Sequence, residues 1–215
     1  MLPIPLVLVL SLVLALVCSA IPWLARPLSN WILAIGLALG IAVGLVGVAR
    51  PFPPYPWADL VVLVVAWSAG LLLGRGMEPR FRPVLLVFLC LSALDVLLTA
   101  HLSLSPPPPS TGSTQLRLGD FLLVLPWGRF ETNVVDLLLL TALAEHWGRR
   151  GASYVIAFLP GALGFLLADG FILLTKVSIL PGIPFFTAGY VLTEGVYRFT
   201  STSRHRAPPP TKPAS

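Results

Sequence analysis

Apolar runs about as long as a membrane is thick alternate along this chain with short breaks rich in Arg, Pro and Gly. A helix that spans the hydrocarbon core needs about 20 apolar residues. Seven segments meet that length: 3–24, 29–49, 57–74, 83–103, 118–147, 152–175 and 182–198. The breaks between them read ARPLSN, ARPFPPYPWAD, GRGMEPRFRP, SPPPPSTGST, GRRG and ILPG, where Pro and Gly stop helices. Trp23, Trp31, Trp57, Trp127 and Trp147 fall near the segment ends, where indole favours the headgroup zone. The first segment has no Lys or Arg before it and is long enough to span, so it reads as a transmembrane helix rather than a signal peptide. Residues 1–200 are expected to form one transmembrane helical domain. Residues 201–215, polar and Pro-rich, are expected to form a disordered cytoplasmic tail.

Composition agrees with this pattern. The chain has 215 residues, of which 56% are hydrophobic and 11% charged, and its mean hydropathy is +0.89. A soluble domain carries about 25% charged residues. The fold class expected is therefore all-α, a polytopic integral membrane protein of about seven transmembrane helices. The net charge of +5 does not point to nucleic acid, because the basic residues are scattered between apolar runs instead of sharing a face. They act as topology signals. With seven spans, one side carries Arg26, Arg75, Arg80, Arg82, Arg149, Arg150, Arg198, Arg204, Arg206 and Lys212, and the other only Arg50, Arg117 and Lys176. The positive-inside rule then puts the amino terminus outside and the carboxyl terminus in the cytoplasm of an inner or plasma membrane. Splitting the fifth segment, which is unusually long and contains Pro126, Gly128, Arg129, Glu131 and Asp136, would destroy that bias. Cys18 and Cys90 lie inside apolar runs and read as packing residues.

Two carboxylates stand out. Asp95 sits within VLLVFLCLSALDVLLTAHL, and Asp120 follows in LRLGDFLLVLP. An ionised Asp at the centre of a membrane helix costs roughly 2.5–3.5 kcal/mol on insertion scales, so it needs a partner or a task. If segments four and five pack as antiparallel neighbours, the two side chains reach similar depths below the outer surface. Two carboxyls at close range in low dielectric cannot both ionise, and they share one proton. In that state the anion can take a proton from water while the acid polarises a peptide carbonyl. Gly119 leaves room for a substrate backbone beside Asp120. On the same side, the seventh segment opens with Pro181, Gly182, Ile183 and Pro184, whose loosened backbone offers main-chain groups to an extended substrate.

An intramembrane Asp, a Gly-Asp at the start of the next helix, one intervening helix and a Pro-led motif opening the last helix together resemble the presenilin and signal peptide peptidase family of GxGD aspartyl proteases. The similarity covers roughly residues 84–198. That family carries Tyr-Asp, Gly-x-Gly-Asp and Pro-Ala-Leu; this chain has Leu94-Asp95, Arg117-Leu118-Gly119-Asp120 and Pro181-Gly182-Ile183. The resemblance implies an intramembrane aspartic endopeptidase with Asp95 and Asp120 as its catalytic pair. It implies Gly119 and Pro181 to Pro184 as substrate contacts, transmembrane peptides as substrates and membrane lipid as surroundings.

Plainer readings stand beside it. Asp95 can bond a neighbouring helix, and Asp120 can sit at a helix start with Arg117. Arg129, Asn133 and Asp136 share a stripe of the fifth segment, nearly opposite Asp120, and read as an interhelical salt bridge. Asp95, Asp136, Asp169 and Glu194 are also the residues that a small transporter or ion-conducting protein would use to line a polar path. A non-enzymatic membrane subunit is the third alternative. His101, His146 and His205 show no metal-ligand spacing, and no nucleotide-binding glycine loop appears, so neither metal nor cofactor is expected. Nothing in the sequence sets the oligomeric state.

Overall fold

The structure is a computed structural model that describes residues 4–49, 57–104, 122–124, 131–175 and 181–205. Among these residues seven helices follow the hydrophobic runs closely: α1 (Ile4–Leu24), α2 (Asn30–Ala49), α3 (Trp57–Gly76), α4 (Phe81–Leu104), α5 (Val134–Arg149), α6 (Tyr154–Thr175) and α7 (Ile183–His205). Two three-residue strands, β1 (Leu122–Val124) and β2 (Glu131–Asn133), pair antiparallel ahead of α5, with Leu122 opposite Asn133 and Val124 opposite Glu131.

The chain is an all-α membrane protein. Leu6–Leu24, Asp59–Gly76, Phe81–Ala100 and Tyr154–Thr175 are each long and apolar enough to cross a bilayer, and Asn30–Leu45 is a shorter apolar helix. Large apolar side chains line the outward faces, among them Ile35 and Leu39 of α2, Leu86 and Leu97 of α4 and Leu174 of α6. In water such a surface would aggregate; in lipid it is the ordinary exterior.

The fifth segment differs most from expectation. It was expected to be helical over 118–147, but α5 begins only at Val134 and is preceded by the strand pair. Pro126 and Gly128, which cannot sustain a helix interior, fall between the strands, outside the described residues. Asn133 precedes the helix at a position where Asn is a favoured cap. The helix that remains is 16 residues, about 24 Å long, so it cannot cross a hydrocarbon core of about 30 Å. α7 in turn continues to His205, past the boundary expected near residue 200. Residues 206–215, the rest of the expected tail, lie outside the described residues.

α5 is the central helix. It packs against α1, α3 and α6, while α2 rests on α3 and α4 rests chiefly on α7. Leu137, Thr141, Ala142, Leu143, Ala144 and Trp147 are buried around its circumference. Two glycines of α3 let it approach: a Cβ on Gly70 would stand 2.6 Å from the Leu138 carbonyl oxygen, and one on Gly74 2.7 Å from that of Ala142. Between membrane helices, where burial from water gives no drive, such close backbone contact supplies the packing energy. The expectation that segments four and five are direct neighbours is thus corrected: α4 meets α5 mainly by way of α7.

Among the described residues, Arg75, Arg149 and Arg150 converge on one end of the bundle. Arg75 donates to the Ala25 and Leu28 carbonyls and to Asn30 Oδ1, and pairs with Glu145 at 3.5 Å. Arg149 donates to the carbonyls of Gly74, Arg75 and Met77, capping the carboxyl end of α3. Arg150 pairs with Glu194 of α7 at 2.6 Å. This basic end gives a common floor from which depth can be counted.

Candidate active site

α7 starts without a side-chain cap of its own. The Gly182 carbonyl accepts the first helical bonds, from Phe185 N–H at 3.1 Å and Phe186 N–H at 3.4 Å, so Gly182 holds the N-cap position. Glycine has no side-chain oxygen to offer the free N–H groups of the first turn, and Pro184 has no N–H to satisfy. The Ile183 N–H is satisfied from another helix: it donates to Asp95 Oδ2 of α4 at 2.9 Å. An unsatisfied N–H at membrane depth costs several kcal/mol, so Asp95 has the structural task of bonding a neighbouring helix, the plainer of the roles expected for it.

A second carboxylate reaches the same turn, from α5. Asp136 lies in that helix's first turn, where an acid is favoured by the helix dipole. Its Oδ1 would lie 2.9 Å from a Cβ built on Gly182. Only glycine fits there without displacing the carboxylate. Asp95 Oδ2 and Asp136 Oδ1 thus contact consecutive residues of one turn, which confines them to within about 9 Å of each other by backbone geometry. Both residues, with Pro181, Gly182 and Pro184, are half-buried, and Ile183 is buried.

The depths agree. At about 1.5 Å per residue, Asp95 stands roughly 21 Å above Phe81, Asp136 roughly 20 Å above Arg149 and Ile183 roughly 22 Å above Arg198. Those three reference residues share the basic end: Arg198 lies over the Phe81 ring at 5.7 Å, and Arg198 and Arg150 both bond Glu194. The two acids therefore occupy one level, well above the floor and short of the opposite face of a core about 30 Å thick.

The candidate residues separate as follows. Asp95, Pro181, Gly182, Ile183 and Pro184 come together. Asp120 and Gly119 lie outside the described residues. Asp136, expected from the sequence to share a salt-bridge stripe with Arg129 and Asn133, also reaches the head of α7 beside Asp95; Asn133 belongs to β2, and Arg129 lies outside the described residues. A signal for Asp136 was available in Asn133-Val134-Val135-Asp136, a cap residue and a first-turn acid following Pro and Gly breakers, which marks a helix start.

The remaining acids go elsewhere. Asp169 of α6 turns toward the Ser11 hydroxyl of α1, and neither its Oδ2 nor that hydroxyl makes a well-formed hydrogen bond. Glu194 is held at the basic end by Arg150 and Arg198, with the Arg150 guanidinium between the Trp147 and Tyr197 rings at 4.4 and 4.9 Å. Beside it the Tyr190 hydroxyl and His146 Nε2 lie 3.0 Å apart in the core. Among the described residues no cluster of His, Cys, Asp and Glu is arranged to hold a metal ion. Comparison with protein-family models, with curated proteins and with solved structures yields no match.

Proposed function

We propose that this protein is an intramembrane aspartyl protease of the presenilin and signal peptide peptidase kind, with Asp95 and Asp136 as its working pair. The observation that carries this reading is the meeting of two acids from different helices on Gly182 and Ile183. A structural cap for α7 needs one carboxylate. The second brings a further carboxyl group to the same turn, at the same level of the bundle.

The proposed chemistry requires one proton between the two acids. The ionised carboxylate takes a proton from a water molecule, whose oxygen attacks the substrate's peptide carbonyl carbon, while the neutral carboxyl donates its proton to the carbonyl oxygen. The tetrahedral intermediate collapses by breaking the C–N bond, the departing nitrogen taking a proton from the carboxyl that the water had protonated while the other carboxylate takes back a proton from a hydroxyl of the diol. The carboxylic acid and amine products leave the pair with one proton, as it began. The Pro181–Pro184 turn, with few internal hydrogen bonds of its own, lies against both acids and suits an unwound segment of a transmembrane substrate. By the positive-inside rule the basic end faces the cytoplasm, and the pair lies nearer the opposite face of an inner or plasma membrane.

A transport path lined by Asp95, Asp136, Asp169 and Glu194 fits less well. Glu194 is neutralised by two arginines at the basic end, and Asp169 faces α1.

The test uses purified protein in liposomes with a single-span, Lys-anchored apolar peptide that carries a central Gly-Pro break, and mass spectrometry of the products. Cleavage within the apolar span, lost in both Asp95→Asn and Asp136→Asn, is the expected result. Cleavage that persists undiminished in either variant contradicts the assignment.

A further inference from the structure

α4 carries Asp95, yet it is the least enclosed of the site's helices. Leu86, Val87, Leu89, Leu94, Val96, Leu97 and Leu98 are all exposed, and its packing falls chiefly on one stripe against α7. α7, by contrast, is fixed on α6. A side chain on Gly189 would collide with the Pro160 carbonyl, and one on Gly164 with the Phe186 ring. The position of Asp95 therefore depends on how α4 is registered along α7.

That register is set by three levels of contact. Near the basic end, the Phe81 and Phe88 rings stack on Tyr190 at 5.2 and 6.0 Å. At the head, Asp95 meets the Ile183 amide. One helical turn below the head, Ser92 Oγ and Thr187 Oγ1 stand 2.8 Å apart, with Thr187 Oγ1 also 3.0 Å from the Ile183 carbonyl and 3.5 Å from that of Phe88. Thr187 is 6% exposed. The aromatic contacts tolerate sliding, since stacked rings keep much of their contact when displaced. A hydroxyl pair of 2.8 Å in apolar surroundings does not, because sliding α4 removes the Ser92 hydroxyl's partner while Thr187 keeps only the Ile183 carbonyl of its own helix.

We propose that Ser92 and Thr187 are positioning residues for the catalytic pair: their hydroxyl clamp locks α4 in register on α7 and so holds Asp95 against the Ile183 amide, facing Asp136. This rests on the reading of Asp95 and Asp136 as the catalytic pair. Neither residue touches the substrate; they act through Asp95.

The experiment compares Thr187→Val, which keeps the side chain's shape and removes its hydroxyl, with Ser92→Ala, Thr187→Ser and Thr193→Val. Thr193 is a buried threonine of the same helix that donates to the Gly189 carbonyl of its own helix. Full-length protein in liposomes is assayed for kcat, KM and pH profile with the peptide described above, and for exchange of the Ile183 amide by NMR in micelles. Thr187→Val and Ser92→Ala are expected to lower kcat roughly tenfold or more with KM nearly unchanged, to displace the pH profile, and to speed Ile183 amide exchange. Thr187→Ser should restore all three, and Thr193→Val should leave them at the wild-type values. Exchange and kcat in Thr187→Val that match Thr193→Val would overturn the clamp. If the wild-type protein cleaves nothing, the protease reading fails, and the Ile183 exchange rates still decide whether the clamp exists.

Discussion

The two ends of α7 handle charge in opposite ways. At its foot, Glu194 is set between Arg150 and Arg198, with Trp147 and Tyr197 covering the Arg150 guanidinium. At its head, two acids from separate helices are brought to a single turn. The foot satisfies charge and joins α5 to α7. The head joins α4 and α5 to the first turn of α7. On the proposed reading, stability and chemistry fall to opposite ends of one 23-residue helix, and the difference is measurable: substitutions at the foot should change stability, and substitutions at the head should change turnover.

The largest effect is expected at the head. Asp95→Asn and Asp136→Asn should each lower cleavage by about 10³-fold or more, the upper range for loss of general acid–base catalysis, with helix content by circular dichroism unchanged. Asp169→Asn should leave cleavage within roughly threefold of wild type, a modest surface-like change in ΔG‡ of under 1 kcal/mol. A comparable loss in Asp169→Asn would dissolve the distinction between the α7 head and the other membrane acids.

The foot should answer in stability. Glu194→Leu leaves Arg150 without its carboxylate in a site where that side chain is 14% exposed, and breaking a buried pair costs about 3–5 kcal/mol. Denaturant unfolding in micelles should show most of that loss. Arg150→Met combined with Glu194→Leu should recover a good part of it, because no unpaired charge then remains.

Gly182→Ala sharpens the comparison, because it strikes the head without removing a charge. The added methyl would meet Asp136 Oδ1 at 2.9 Å. The end of a flexible side chain can yield, so the unfolding midpoint should barely move. A carboxylate displaced by about 1 Å should nonetheless cost about 10²-fold in kcat. A smaller effect than at the foot is expected for Tyr190→Phe, which removes the partner of His146 Nε2. It should destabilise the protein by about 1–3 kcal/mol, the cost of a buried polar group left unsatisfied.

The helices were legible in the sequence because lipid imposes a simple rule: about 20 apolar residues, then a break. Six of the seven runs begin within two residues of their helices, all but the fifth, and six end within two residues, all but the seventh. The fifth was misread in its first half. Its composition stayed apolar enough to pass as a span, while Pro126, Gly128 and Asn133 were already marking a helix start further on. That one boundary set the level of Asp136. Asp136, placed mid-helix by the longer reading, lies in the first turn of the shorter helix and so at the level of Ile183. The contact of α4 with α7 was not legible, since nothing in a hydropathy pattern says which helices are neighbours; Ser92, Thr187, Tyr190 and His146 reveal themselves only once those helices are set side by side.

The central claim is that Asp95 and Asp136 face one another across the Gly182–Ile183 turn. Its most direct test is cross-linking of the double variant Asp95→Cys/Asp136→Cys, with Cys18 and Cys90 replaced by Ala, using a short bifunctional methanethiosulfonate in membranes. The account predicts rapid linkage of this pair and none for Asp95→Cys/Asp169→Cys, whose second position faces α1. Linkage of 95 to 169 but not to 136 would contradict it.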